Sequence, residues 1–222
     1  MKIVITAATT GEWMPTFLDI NTLYTHESER FKIIFHQSGV GMLATSVSLM
    51  KLIAEEKPDL IIQAGIAGTF KQKKKLATTV VVKEETIADM GVEEDKEWKD
   101  IFDLKLEKAN YYPFEKRKLP NQWLKKFNLL KLPEVKAITI NEISTNILRI
   151  EQYRKKYAPV IESMEGAALH FVCREMNVPF IQIRSLSNYV GERDKSKWLL
   201  KESIAVLNKT LLLMIEKLYR LK

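Results

Sequence analysis

The chain has 222 residues, 46% of them hydrophobic and 28% charged, which suits one soluble globular unit with a sizeable core. Lysine plus arginine number 35 against 28 acids, so the net charge of +7 favours anionic ligands; the basic residues are scattered among acids and form no stripe of the kind a nucleic-acid surface needs. One cysteine, Cys173, excludes an intramolecular disulfide framework and fits a reducing, cytoplasmic setting, and no apolar run is long enough to span a bilayer.

Met1 leads directly into an apolar β-rich run, Lys2 to Ala8, so no signal peptide is expected. Thr9-Thr10-Gly11-Glu12 reads as a turn and Trp13 to Leu23 as a helix. Phe31 to His36 is a second strand ending in Ser38-Gly39-Val40-Gly41, after which Leu43, Val47, Met50 and Ala54 recur at helical spacing until Pro58-Asp59. Leu60 to Ala64 is a third strand, closed by Gly65-Ile66-Ala67-Gly68. Continuous apolar strands followed by glycine turns predict an α/β fold, with a parallel or mixed sheet covered by helices.

Leu76 to Lys83 reads as a further strand. Residues 92–133 are dense in Lys, Glu and Asp with interleaved aromatics, and read as an excursion from the sheet with a short helix near Asn121 to Phe127. It is either a surface loop pinned by its aromatics or a subunit contact or pocket wall. Val135 to Asn141 is a strand and Thr145 to Tyr157 a helix. In Ile161 to Trp198, Glu165 stands where a helix begins, and the strand Val178 to Ile183 delivers Arg184, Ser187 and Asn188 at its C-terminal end. Ligands of open α/β sheets bind beyond such strand ends. A closing helix carries the stripe Leu200, Ile204, Leu207, Leu211, Ile215 and Leu218. With no repeat or linker, residues 1–222 are read as one domain with an excursion at about 92–133.

Gly39-Val40-Gly41-Met42-Leu43-Ala44 matches a dinucleotide fingerprint, but it follows the second strand and no acid ends the next one. His26, His36 and His170 have no metal-ligand spacing, and no Gly-x-Ser-x-Gly elbow is present. Taken by themselves, Glu165 could be a first-turn helix acid favoured by the dipole, and Asn188 a cap on the turn before Gly191.

Together, Glu12, Ser38-Gly39-Val40-Gly41, Gly65-Ile66-Ala67-Gly68, Ser163-Met164-Glu165 and Arg184-Ser185-Leu186-Ser187-Asn188 resemble the methylthioadenosine/adenosylhomocysteine nucleosidases and, more broadly, the purine nucleoside phosphorylase superfamily. The tail Ser187-Asn188-Tyr189-Val190-Gly191-Glu192-Arg193-Asp194-Lys195, with Trp198, is closer still to futalosine hydrolases, which act in a route to menaquinone. The resemblance covers most of the chain outside the excursion. It implies a twisted mixed central sheet flanked by helices, a nucleoside phosphorylase-like three-layer sandwich, usually a homodimer or larger. It also implies cleavage of an N-ribosidic bond in a small nucleoside, with no metal or organic cofactor and with neither nucleic acid nor membrane as partner.

Carried residue by residue, the resemblance makes Glu12 the base that deprotonates water, with Arg184 holding that carboxylate or the water site. Glu165 binds the ribose hydroxyls, with Met164 under the sugar and Ser163 beside it. Ile66, Ala67, Gly68 and Ser187 line the site, and Ser144 and Thr145 face the base. Where the adenosine-type nucleosidases have an aspartic acid, this chain has Asn188. An amide can donate to the O6 of a 6-oxopurine and accept from a developing N7–H, which implies hypoxanthine as the leaving base. Ile66 replaces a small hydroxyl residue, and the first turn lacks an arginine, so the pattern implies hydrolysis and not phosphorolysis. Arg193 or Lys195 stands near enough in sequence to meet the benzoate of futalosine. The alternatives are an adenine-releasing nucleosidase, a nucleoside phosphorylase, a catalytically silent nucleoside binder, and a basic nucleic-acid-binding module.

Overall fold

In the computed structural model, which describes residues 1–23 and 31–221, the apolar run Lys2–Ala7 forms strand β1. Ile3, Val4 and Ile5 are all fully buried, so both faces of the strand are covered. β1 pairs in parallel with β2 (Lys32–Gln37) and with β3 (Leu60–Thr69). Between them lie a 3-10 turn at Thr10–Glu12 and helices α1 (Met14–Leu23) and α2 (Met42–Glu56). The chain continues through β4 (Thr79–Ile87), the hairpin β5 (Gly91–Glu94) and β6 (Glu97–Asp100), β7 (Leu119–Pro120) and α3 (Leu124–Phe127). It ends with β8 (Glu134–Thr139), α4 (Ile147–Tyr157), β9 (Ile161–Ser163), α5 (Gly166–Glu175), β10 (Phe180–Tyr189) and α6 (Leu200–Tyr219). His26 lies outside the described residues.

The sheet is mixed and flanked by helices, as expected, but it is not open. Its order is β10-β4-β8-β9-β3-β1-β2, and β10 also pairs with β3, so five strands close on themselves. β10 is parallel to β3 and antiparallel to β4, which lets one long strand seal the ring. Arg184, Ser187 and Asn188 therefore lie within β10, not past its end. A register shift between Leu186 and Asn188 locally re-aims those side chains.

One side of the sheet is covered by α1 and α6, where Leu207, Leu211, Met214, Ile215 and Leu218 pack against Ile3, Ile5 and Ile62. α2 and α5 cover the other through Leu49, Leu52, Ile53, Leu169, Val172 and Cys173. The spacing of Leu43, Val47, Met50 and Ala54 marks the wrong face of α2. Thr45, Leu49, Leu52 and Ile53 are buried, whereas Leu43 is 80% exposed and Val47 and Met50 are also exposed. In the excursion, Phe102 and Phe114 are buried in a cluster that reaches Phe171 of α5, and Trp98 donates to the Tyr157 hydroxyl at 3.0 Å. These aromatics pin the segment to the body of the molecule.

Candidate active site

Thr9 and Glu12 satisfy each other as a capping box. The Glu12 carboxylate accepts from the Thr9 N–H at 3.2 Å and, on its other oxygen, from the Ile66 N–H at 3.1 Å. From behind, the Asn208 amide of α6 donates to the Glu12 carbonyl at 3.0 Å. The turn thus aims an 8%-exposed carboxylate along the end of β3. Burial raises the Glu12 pKa above the ordinary range, and neighbouring Glu165 adds to this; Arg184 and the N–H groups of Thr9 and Ile66 oppose it.

Arg184 is 2% exposed. Its guanidinium donates to Gln63 Oε1 at 2.9 Å, to Glu165 Oε2 at 3.4 Å and to the Ile66 carbonyl at 3.4 Å. It lies across Gly65, where a Cβ would overlap the guanidinium and sit 3.1 Å from Glu12 Oε1. The arginine therefore ion-pairs with Glu165 and acts on Glu12 through space, instead of gripping it directly.

Glu165 precedes α5, yet its side chain makes no capping bond to that helix. One oxygen faces Arg184; the other accepts from the Gly41 N–H at 3.2 Å. The glycine loop after β2 thus supplies a backbone donor to a carboxylate. The start of α5 is fixed by a buried set behind it: the Thr139 hydroxyl accepts from the Ala167 N–H at 2.7 Å and donates to Glu85, which also accepts from Gln182 at 2.9 Å. Burial pushes Glu85 up to about 7.

These groups meet at a cavity of about 330 Å³. Glu12, Ile66, Ala67, Gly68, Ser163, Met164, Glu165, Arg184, Ser187 and Asn188 all line it. The buried Ser163 hydroxyl has no hydrogen-bond partner. Asn188 accepts from the Ser187 hydroxyl at 2.8 Å and donates to the Tyr189 carbonyl at 3.1 Å. An amide has two N–H donors and two acceptor lone pairs, so these bonds leave one of each for a ligand. Ser144 and Thr145 line a neighbouring cavity of about 640 Å³ instead, with Asp89 and Arg149. Asn146 caps α4 by accepting from the Leu148 and Arg149 N–H groups. Ile143 lines both cavities.

Sequence reasoning did not single out Ile140, Ile143, Ile204 or Glu162, all of which line the smaller cavity. Trp198 lines it too, and the exposed Arg193 guanidinium lies 5.6 Å from the Trp198 ring centroid. Among the described lining residues Arg184 is the only cation. No residue of the excursion is among them. The arrangement provides an ionisable base, a second carboxylate paired with one arginine, an amide and apolar walls. That set can bind a polar ring and a sugar and place one water between them.

The Phosphorylase superfamily model matches residues 11–219 of the chain. A futalosine hydrolase of Thermus thermophilus is 25% identical over 177 residues, covering 78% of this chain and 77% of that relative. A 5′-methylthioadenosine/S-adenosylhomocysteine nucleosidase of Bacillus velezensis is 28% identical over 171 residues, 76% and 73% of the two chains. Solved structures of a futalosine hydrolase and of a 5′-methylthioadenosine/S-adenosylhomocysteine nucleosidase from Helicobacter pylori each match with a TM-score of 0.80 over 98% of both chains, at 18% identity, a likeness of fold. On a match that spans nearly its whole length, the chain belongs to the Phosphorylase superfamily and is an enzyme of it.

Proposed function

We propose that the chain hydrolyses the N-ribosidic bond of futalosine and releases hypoxanthine. The observation that carries this is Asn188, an amide in the cavity that also holds Glu12, Glu165 and Arg184. The futalosine hydrolase of Thermus thermophilus among the relatives supports the same substrate.

In this mechanism Glu12 in its ionised form takes a proton from water as the water oxygen bonds to C1′ and the C1′–N9 bond breaks. Glu165 accepts from the ribose hydroxyls and opposes the positive charge growing on the sugar. Met164 gives the sugar an apolar floor. The electron pair of the broken bond goes to the purine, which takes a proton from solvent at N7; Asn188 holds O6 and N7 but has no proton to surrender. Hydrolysis is favoured over phosphorolysis because Ile66 offers no hydroxyl and Arg184 is engaged by Glu165 and Gln63. Arg193, outside Trp198, suits the benzoate at the 5′ end.

A homo-oligomer fits the exposed apolar face of Val40, Leu43, Val47 and Met50, next to the loop whose Gly41 holds Glu165. A second reading, an adenine-releasing nucleosidase, is favoured by the relatives of that kind and by the apolar walls Ile140, Ile143 and Ile204. The test is product analysis by chromatography after incubation with futalosine, inosine and methylthioadenosine, each with and without phosphate. Free hypoxanthine from futalosine, independent of phosphate, is expected. Adenine from methylthioadenosine with no hypoxanthine from futalosine would replace the proposal by the second reading.

A further inference from the structure

Asn188 of β10, Gly68 of β3 and Glu162 of β9 form one row across three strands, because Asn188 pairs with Gly68 and Gly68 with Glu162. Residues directly opposite each other in a sheet share a face. The middle member has no side chain. A Cβ built there would lie 3.4 Å from Asn188 Nδ2 and 3.6 Å from Glu162 Cγ. The amide and the carboxylate therefore lean toward one another over a glycine floor, and both line the cavity.

Glu162 is 7% exposed, and its Oε2 is buried with no hydrogen-bond partner. Burial lifts its pKa to about 7; nearby Ser144 tempers this, though its hydroxyl makes no well-formed hydrogen bond to the carboxylate. A buried carboxyl oxygen left without a partner needs an explanation. The cavity supplies one. In a 6-oxopurine, N7, O6 and N1–H follow one another along one edge of the ring. A side chain meeting N7 and O6 leaves N1–H directed at its neighbour in the row.

We infer that Glu162, as a carboxylate, accepts a hydrogen bond from N1–H of the purine and, with Asn188, selects 6-oxopurines over 6-aminopurines. Adenine presents a lone pair at N1, which an ionised carboxylate repels and cannot satisfy. Glu162 thus decides which base is held, while Glu12 and Glu165 act at the sugar. The inference rests on the reading that Asn188 meets the base.

The test is titration calorimetry at about pH 8, where Glu162 is ionised, of hypoxanthine, 1-methylhypoxanthine and adenine with the wild-type enzyme, Glu162→Ala and Glu162→Gln, beside the futalosine product assay. Wild type is expected to prefer hypoxanthine over its N1-methyl form by on the order of 10- to 100-fold, the worth of one hydrogen bond to a charged group. Glu162→Ala should shrink that preference to within about threefold. Glu162→Gln keeps the shape of the side chain and gains an N–H for adenine N1, so the hypoxanthine-to-adenine preference should fall about 10-fold. Unchanged preferences in both variants, with wild type still releasing hypoxanthine, would overturn this inference and leave the proposed function standing. A wild type that releases no hypoxanthine from futalosine would overturn both.

Discussion

Arg184→Met removes the single cation among the described residues that line the cavity and keeps an unbranched, buried side chain. Three acceptors lose their donor: Gln63 Oε1, Glu165 Oε2 and the Ile66 carbonyl. Two carboxylates, Glu12 and Glu165, each less than one-tenth exposed, are left facing one cavity without a positive partner. At the 3.4 Å separation of Arg184 and Glu165, and an effective dielectric constant near 20, the gross attraction is about 5 kcal/mol. Breaking a buried pair by deleting one partner typically costs about 3–5 kcal/mol, because the other charge stays behind. Urea denaturation at pH 7 should therefore show a loss of roughly that size. Kinetics should change in a particular direction. Arg184 holds the Glu12 pKa down against burial, so its loss must raise that pKa. Since the ionised form is the base, the acidic limb of kcat/KM against pH should move to higher pH. Adding Glu165→Gln to Arg184→Met should recover part of the stability, by removing the uncompensated charge, without restoring the rate. A loss of stability under about 1 kcal/mol together with an unmoved acidic limb would refute the reasoning.

Glu12→Gln should lower kcat by roughly two orders of magnitude or more with little change in KM, read by steady-state kinetics; a near-normal rate would remove Glu12 from the mechanism. Asn188→Asp should move base preference toward 6-aminopurines, and an unchanged hypoxanthine-to-adenine product ratio would contradict the leaving-group argument. Gly68→Ala places a methyl 3.2 Å from Val190 Cγ2 and against both Asn188 and Glu162; kcat/KM should fall by on the order of 100-fold, the usual result of displacing aligned groups by about 1 Å. For Glu85 the prediction concerns stability. Its pKa is raised on folding from the ordinary 4.5 to about 7, so the protonated form is favoured in the native state. That contribution is fully present below pH 4.5 and disappears as pH rises through 7. Wild type should therefore lose about 3 kcal/mol relative to Glu85→Gln between pH 4.5 and pH 8, measured by denaturation at both pH values.

The main strands and helices were legible because apolar runs mark them plainly, and β1 and α6 lie where their patterns put them. But Gly65-Ile66-Ala67-Gly68, read as a turn closing the third strand, continues β3 to Thr69, and the short strands β5, β6, β7 and β9 had no pattern long enough to read. Glu12, Glu165, Arg184 and Asn188 meet at one cavity because Glu12 ends the turn after β1, Glu165 precedes α5 and the other two lie in β10, all of them placed by the sheet. Ring closure was not legible. Periodicity reports which face of a strand is covered but not that β10 will pair on both sides. Glu162 was missed because the three-residue strand Ile161–Ser163 is too short to show a pattern, and its pairing with β3 is what turns Glu162 into the cavity. The stripe of Leu43, Val47 and Met50 misled in the opposite way, because an apolar face exposed on one chain has the same spacing as a core face. Ser144 and Thr145 line the neighbouring cavity, beside the Asn146 cap of α4.

The closed ring has a consequence for how the chain is made. β1, β2 and β3 all lie within the first third of the sequence and can pair as soon as they leave the ribosome. The ring waits for β10, whose partner residues in β3 are about 120 positions earlier, as in the pairing of Phe180 with Ile61 and Asn188 with Gly68. Contacts so distant in sequence form slowly, since the intervening chain must first be brought together. Until then the exposed edge of β3 can pair with strands of other nascent chains. Arg184 arrives with that last strand, so the charge that reconciles Glu12 and Glu165 enters only as the ring shuts. Assembly of the site thereby waits for closure of the ring, and a chain arrested before β10 carries two carboxylates with no reason to approach each other.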